Sequence, residues 1–234
     1  MEVMKSFIKR KNNVSALIRM VVVMALAVAS AVPCHAAGEE EGKKEFAVRD
    51  LFVELQSPAL EILKKTTRLD MLDYWDADSI YKATNAMEGL SWLENVTPGY
   101  LKVRVTPVST LELKALPVKN GNVVMSVYTV GGEAQAEDSQ IDFYDEDGTP
   151  LDAGKYFTAP DLSRFFDIPK GSLTSMKEIR GMIPFPTVAY GASPDNDSLS
   201  ARLTVGEYMD VDNYNIIKLF LKPEVILEWK GKYK

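Results

Sequence analysis

The sequence predicts an α+β fold, short helices packed on antiparallel meander sheets. Two observations carry that expectation: apolar residues recur at helical spacing over residues 46–94, and from Tyr100 the period switches to two. A third is that helices followed by alternating strands recur after residue 151, the pattern of two tandem helix-then-sheet units. The units are placed at 46–150 and 151–234, as separate domains or as one continuous domain. With 234 residues, 46% hydrophobic and 26% charged, the chain has enough apolar surface for a real core.

In the first unit, Leu51, Phe52 and Leu55 form a helical face, and Ser57-Pro58 restarts the chain with a cap and a first-turn proline. Leu60 and Leu63 continue the face, and Leu69, Leu72 and Trp75 repeat it. A further helix is expected from Asp78 or Ser79 to Gly89. Leu101, Val103 and Val105 then alternate with Lys102, Arg104 and Thr106, and Leu111, Leu113 and Ala115 alternate with Glu112, Lys114 and Leu116. Lys119-Asn120-Gly121-Asn122 predicts a type I′ hairpin, because Asn-Gly accepts positive φ at both turn positions. Val123–Val130 and Gln140–Tyr144 read as strands, giving a meander with one buried and one wet face.

In the second unit, 160–166 and 172–179 look helical, and 181–194 is broken by Pro and Gly. Strands are expected with Leu199, Ala201, Leu203 and Val205 inward, then Ile217, Leu219 and Leu221, then Val225, Leu227 and Trp229.

The N-terminal 36 residues have a different logic. Lys5, Lys9, Arg10, Lys11 and Arg19 precede an apolar stretch from Met20 to Val32, and a small-x-small site, Cys34-His35-Ala36, follows. This is the pattern of a secretory signal peptide cleaved after Ala36, followed by a charged tail at 37–45. Arg19 interrupts the apolar run, so it is short for a membrane anchor. Lipidation at Cys34 is the alternative, disfavoured by the preceding Ala31-Val32-Pro33. Cleavage after Ala36 leaves 198 residues with a formal charge of −10, against −6 for the whole chain. It also removes Cys34 and His35, which are the chain's single Cys and single His.

That loss excludes Ser-His-Asp and Cys-His nucleophilic sites and ordinary zinc sites from the mature chain. The negative charge argues against nucleic acid as a partner. No Gly-rich phosphate loop or dinucleotide fingerprint is present, and no cofactor is expected. Asp70 and Asp73, one turn apart on the predicted helix, are the candidate catalytic carboxylates; the plainer reading makes them the wet side of an amphipathic helix, with Arg68 a local ion-pair partner. Asp145-Glu146-Asp147-Gly148, Asp195-Asn196-Asp197 and Asp210-Val211-Asp212 resemble fragments of calcium loops without the distal Glu, and no metal site is assigned. Lys218, Lys222, Lys230, Lys232 and Lys234 form a basic C-terminal ribbon, either protecting an edge strand or docking an acidic partner. Of the three tryptophans, Trp75, Trp92 and Trp229, two fit the apolar periodicity and read as core anchors.

Arg68-Leu69-Asp70-Met71-Leu72-Asp73-Tyr74, with Leu51-Phe52-Val53, Tyr100-Leu101 through Pro107, Leu111-Glu112-Leu113 and Leu116-Pro117, resembles a Bacteroidales family of exported proteins designated only as a domain of unknown function. The resemblance spans essentially the whole mature chain. It implies a periplasmic or surface location in a Gram-negative bacterium and carries no catalytic residue. The paired helix-then-sheet units also look like the tandem α+β architecture of β-lactamase-inhibitor-like and PepSY-like proteins. The lineage implies O-glycosylation at Asp-Ser/Thr followed by an aliphatic residue, matched at Ser79 and Ser198, with Ser198 preferred.

The expected function is therefore a non-catalytic exported binding or interaction protein, presenting a sheet face or edge to a protein, peptide or glycan, with no membrane span after signal removal. The alternatives are a carboxylate-based glycan-active enzyme using Asp70 and Asp73, or a structural component of a surface assembly.

Overall fold

Leu51 and Phe52 are buried with Val48 and Val53 on α1 (Val48–Glu54), and Leu55 is buried at its C-cap. The computed structural model describes residues 46–132 and 135–234. The signal segment with Cys34, His35 and Ala36, and the tail at 37–45, lie outside the described residues. Pro58 opens a 3₁₀ turn at Pro58–Leu60 as expected, although the Ser57 side chain makes no capping hydrogen bond. α2 (Lys65–Asp76) follows, with Leu72 and Trp75 inward as predicted but Leu69 turned outward. Met71, Leu72 and Arg68 are buried, Trp75 is half-buried, and Leu69 is 43% exposed. The cause is Arg68, whose Nη1 donates to the carbonyls of Phe52 (2.7 Å) and Leu55 (2.9 Å) at the C-terminal end of α1. Those carbonyls have no partner within their own helix, so a cation placed among them is stabilised inside.

The helix expected over 78–89 does not form. Asp78 and Glu88 both adopt left-handed φ, and β1 (Ala83–Thr84) pairs instead with β2 (Leu90–Thr97). Buried Asn85 organises this hairpin: its amide donates to Ser91 Oγ and to the Val105 carbonyl, and its own oxygen accepts the N–H groups of Met87 and Gly89. An amide that satisfies both turn and sheet removes the incentive for helix.

β3 (Tyr100–Thr106), β4 (Ser109–Val118), β5 (Gly121–Gly132), β6 (Gln135–Tyr144) and β7 (Pro150–Leu151) complete a seven-stranded antiparallel meander in sequence order. The β4–β5 hairpin falls where predicted, with Val118 opposite Gly121. Its backbone differs from type I′, because φ is positive at Gly121 (113°) and not at Lys119 or Asn120.

The expected wet face is the larger correction. Leu101, Val103, Leu111, Leu113 and Val124 pack against α1 and α2 on one side. Tyr100, Leu116, Val123, Met125, Val127 and Phe143 are buried equally on the other, against the C-terminal half of the chain. Glu112 and Lys114, read as wet, are each 6% exposed. Alternation distinguishes the two faces of a strand but does not reveal that a second layer will cover the more polar one.

That second layer contains α3 (Ala153–Tyr156), a 3₁₀ turn at Leu162–Phe165, α4 (Met176–Met182), α5 (Val211–Ile217) and a sheet of β8 (Val188–Ala192), β9 (Ser198–Leu203) and β10 (Val225–Glu228) in the order β10-β9-β8. Helix is shorter than predicted at 160–166, which yields the 3₁₀ turn capped by Asp161, and at 172–179, where the Ser175/Glu178 capping box starts α4 at Met176. β8 lies inside the Pro/Gly-broken passage. Leu199, Ala201 and Leu203 point inward on β9, and Val225 and Leu227 on β10, as predicted. The strand expected through Ile217, Leu219 and Leu221 is instead the end of α5 and a loop, with Leu219 75% exposed. Asp210 accepts the Asn213 N–H and so nucleates that helix. Residues Glu45–Lys234 form one compact unit.

Candidate functional site

Two of the carboxylates singled out from the sequence, Asp145 and Asp210, and the amide of Asn196 are committed to local backbone geometry. Asp145 accepts the N–H groups of Asp147 and Thr149 in the β6–β7 turn, Asn196 accepts that of Ser198, and Asp210 caps α5. Among the described residues no group of three or more acidic, His or Cys side chains is arranged to hold a metal ion. Asp70 and Asp73 stand on the open face of α2, both exposed, and do not line the hollow described below. Ser79 is exposed just after α2; Ser198 is half-buried at the start of β9, opposite Glu228.

Two of the tryptophans serve the core. Trp75 packs with the helical layer, and Trp229 stacks near Phe143 and Tyr156 while its indole N–H donates to the Pro117 carbonyl (2.9 Å). Trp92 lies on the meander face with the Lys82 ammonium 5.2 Å from its ring centre.

The sheet edges separate sharply. β8 is an edge strand, and its outward N–H groups are all occupied by side chains of the meander. Val188 donates to Asp138 Oδ1 (3.1 Å), Tyr190 to Ser139 Oγ (3.0 Å) and Ala192 to Glu112 Oε2 (2.7 Å). The Thr204 hydroxyl also donates to the Glu137 carbonyl, so β6 and the second sheet are tied along their contact. The meander itself ends in strands of two residues, β1 and β7. Very short terminal strands and blocked donors are the usual means by which an edge avoids pairing.

β10 has neither protection. It is the other edge of the second sheet, and the β8–β9 pattern places Leu199 and Ala201 in hydrogen-bonded register with Leu227 and Val225. The N–H and C=O groups of Ile226 and Glu228 therefore point outward, where no described strand pairs with them. Ile226 is half exposed. Beside it a hollow of about 480 Å³ is lined by Asn196, Asp197, Ser198, Ile226, Glu228 and Trp229. The basic ribbon does not protect this edge: Lys222 and Lys230 flank β10, and Val225–Glu228 contains no lysine. Lys230 pairs with Glu228, and Lys232 donates to the Gly154 carbonyl. The sequence signal for an open edge was present in this lysine-free VILE segment, but pairing partners are not readable from it.

A family model described as protein of unknown function (DUF3256) matches residues 44–233. The chain belongs to the DUF3256 family. No curated protein matches it. The DUF3256 chain is similar to the solved structure of a domain of an uncharacterized protein from Porphyromonas gingivalis W83, at 20% identity and a TM-score of 0.66, over 80% of this chain and 96% of that one. At that identity the likeness establishes the α+β fold of the DUF3256 chain. Among its described residues no helix is long and apolar enough to cross a membrane.

Proposed function

We propose that this chain is an exported, non-catalytic binding protein that takes up an extended segment of a protein or peptide partner along the outer edge of β10. The supporting observation is the selective closure of edges: each outward N–H of β8 has a side-chain acceptor, while those of Ile226 and Glu228 face outward beside a hollow. Strand addition draws affinity from main-chain hydrogen bonds and specificity from pockets for alternate side chains, and the β10 edge offers both. Export rests on the basic, apolar and small-residue sequence up to Ala36, and places the protein in the periplasm or at the surface of a Gram-negative cell.

The test is selection of a peptide display library on the folded protein, repeated with Ile226→Pro. Proline removes an outward N–H that serves no internal pairing, so the variant should keep its fold. Enriched peptides with alternating apolar residues that fail to bind Ile226→Pro are expected; no enrichment, or equal binding by the variant, overturns the proposal. Export is tested separately by N-terminal sequencing of the native protein, which should begin at Ala37. A native chain beginning at Met1 would contradict it.

A further inference from the structure

Of the residues lining the hollow beside β10, Asp197 and Glu228 are carboxylates and none is a cation. Ile226 and Glu228 alternate outward on β10 while Val225 and Leu227 are buried, so the two outward side chains share one face of the sheet. Glu228 lies opposite Ser198 across the β9–β10 pair, and Asp197 is the residue before Ser198, which brings both carboxylates to the same end of the edge. The hollow, at about 480 Å³, leaves room for a long side chain.

Neither carboxylate is consumed internally. The pair between Glu228 and Lys230 lies in open solvent with both side chains largely exposed, and such pairs contribute little and exchange readily. Asp197 Oδ1 stands 3.7 Å from Lys114 Nζ, beyond hydrogen-bonding distance, and the Asp197 side chain is itself exposed. The wall behind them is anchored: the Asp197 carbonyl accepts the Tyr233 hydroxyl, and the Trp229 indole donates to the Pro117 carbonyl.

A strand added antiparallel to β10 exchanges main-chain hydrogen bonds with Ile226 and Glu228, and a residue paired with either projects its side chain on the face those two occupy. The residue facing Glu228 therefore stands at the hollow. An acidic side chain there meets two like charges, and an apolar one desolvates the carboxylates without giving them a partner. A basic side chain meets both, and its aliphatic stem covers Ile226, half exposed two residues away. The formal charge of −6 adds a general attraction for a basic segment.

We infer that the segment taken up by β10 is basic: the residue facing Glu228 is a lysine or arginine, its cation received by Glu228 and Asp197 in the hollow and its stem lying on Ile226. This rests on strand addition at β10 and specifies the chemistry of the partner.

The experiment sequences the displayed peptides that bind the folded protein and are lost on Ile226→Pro, and resynthesises one with norleucine in place of its basic residue. A lysine or arginine at one fixed place in the alternating pattern is expected, and norleucine should weaken binding about tenfold. Glu228→Gln, at a largely exposed position, should weaken the basic peptide about three- to tenfold, more at low salt than at high, and leave the norleucine peptide unaffected. Asp197→Asn should act in the same way; if losing the charge near Lys114 lowers its melting temperature, Glu228→Gln decides alone. Edge-dependent peptides without a fixed basic residue, unchanged binding of the basic peptide by Glu228→Gln, or equal loss of both peptides overturns this inference and leaves strand addition standing. Absence of any edge-dependent peptide overturns both, as does a dimer of the chain alone that is lost in Ile226→Pro, which would make a second copy the occupant.

Discussion

The Glu112 carboxylate joins the two sheets: Oε2 accepts the Ala192 N–H at 2.7 Å, and Oε1 stands 3.0 Å from Lys102 Nζ. Glu112 is on β4 and Ala192 is the last residue of β8, so one side chain satisfies a buried backbone donor across the layer boundary. Glu112→Ala leaves that N–H unpaired and is expected to cost about 2–4 kcal/mol in urea unfolding. Glu112→Gln retains an acceptor oxygen and should lose less. A loss below about 0.5 kcal/mol in Glu112→Ala would show that the contact contributes nothing.

Arg68 and Leu69 make an adjacent pair with inverted roles. Arg68→Met removes both bonds to the α1 carbonyls and should destabilise by about 2–4 kcal/mol, because two buried acceptors lose their donor. Leu69→Lys, on the exposed side of α2, should stay within about 0.5 kcal/mol of the parent. Thermal or urea melts of the two variants would settle which face of α2 is inside; the reverse ranking restores the face predicted from apolar spacing.

Asn85 is the hinge of the β1–β2 hairpin. Asn85→Ala deletes bonds to Ser91, Val105, Met87 and Gly89, and should cost about 2–3 kcal/mol. Asn85→Asp keeps the acceptor side but sets a carboxylate oxygen against the Val105 carbonyl, so it should not rescue. Hydrogen exchange at Met87 and Gly89 should accelerate in both variants, and unchanged protection would refute the assignment.

Stability should fall at both pH extremes for separable reasons. Hydrogen bonds from Ser163 and Arg180 hold the Asp161 carboxyl far below its ordinary value, the Asn213 N–H lowers Asp210, and Ser175 lowers Glu178. Depressed folded values mean that this stabilisation is present above about pH 4 and is lost as pH falls towards those values. Asp161→Asn should flatten the acid limb of the urea midpoint against pH.

On the alkaline side burial pushes Tyr190 up to about 12, and Tyr100 and Tyr233 are raised as well. Raised folded values leave stability intact below about pH 10 and erode it above, as the unfolded phenols ionise first. Tyr233→Phe should make the alkaline limb shallower, while losing about 1 kcal/mol at neutral pH with the bond from its hydroxyl to the Asp197 carbonyl. An alkaline limb as steep as the parent's would contradict the assignment.

Most of the meander was legible in the sequence because its signal is local. Val103 and Leu111 alternate with polar neighbours along strands joined by short turns, and each strand's inward set follows from its own residues. The failures share a cause. Asn85, Arg68 and Asp210 are polar residues whose roles depend on the acceptor or donor they reach, and periodicity scores only hydrophobicity. Leu219 fits an alternating pattern that Asp210 overrides from nine residues upstream, by starting α5. Beyond the lysine-free VILE segment, the open edge of β10 was likewise not readable, since it is defined by a missing partner.

By itself the sequence determined the α+β class, the basic-then-apolar pattern of the N-terminal residues and the absence of Cys and His beyond residue 35, all of them properties of composition and local period. Tertiary structure alone decided that both faces of the meander are covered, that β8 is sealed by Asp138, Ser139 and Glu112, and that β10 and Arg68 Nε have hydrogen-bonding groups without a partner among the described residues. Local pattern sets which way a side chain points from its own backbone. Whether that direction meets water, a carbonyl or another sheet depends on residues 16 to 80 positions away, as the Arg68–Phe52 and Glu112–Ala192 contacts show.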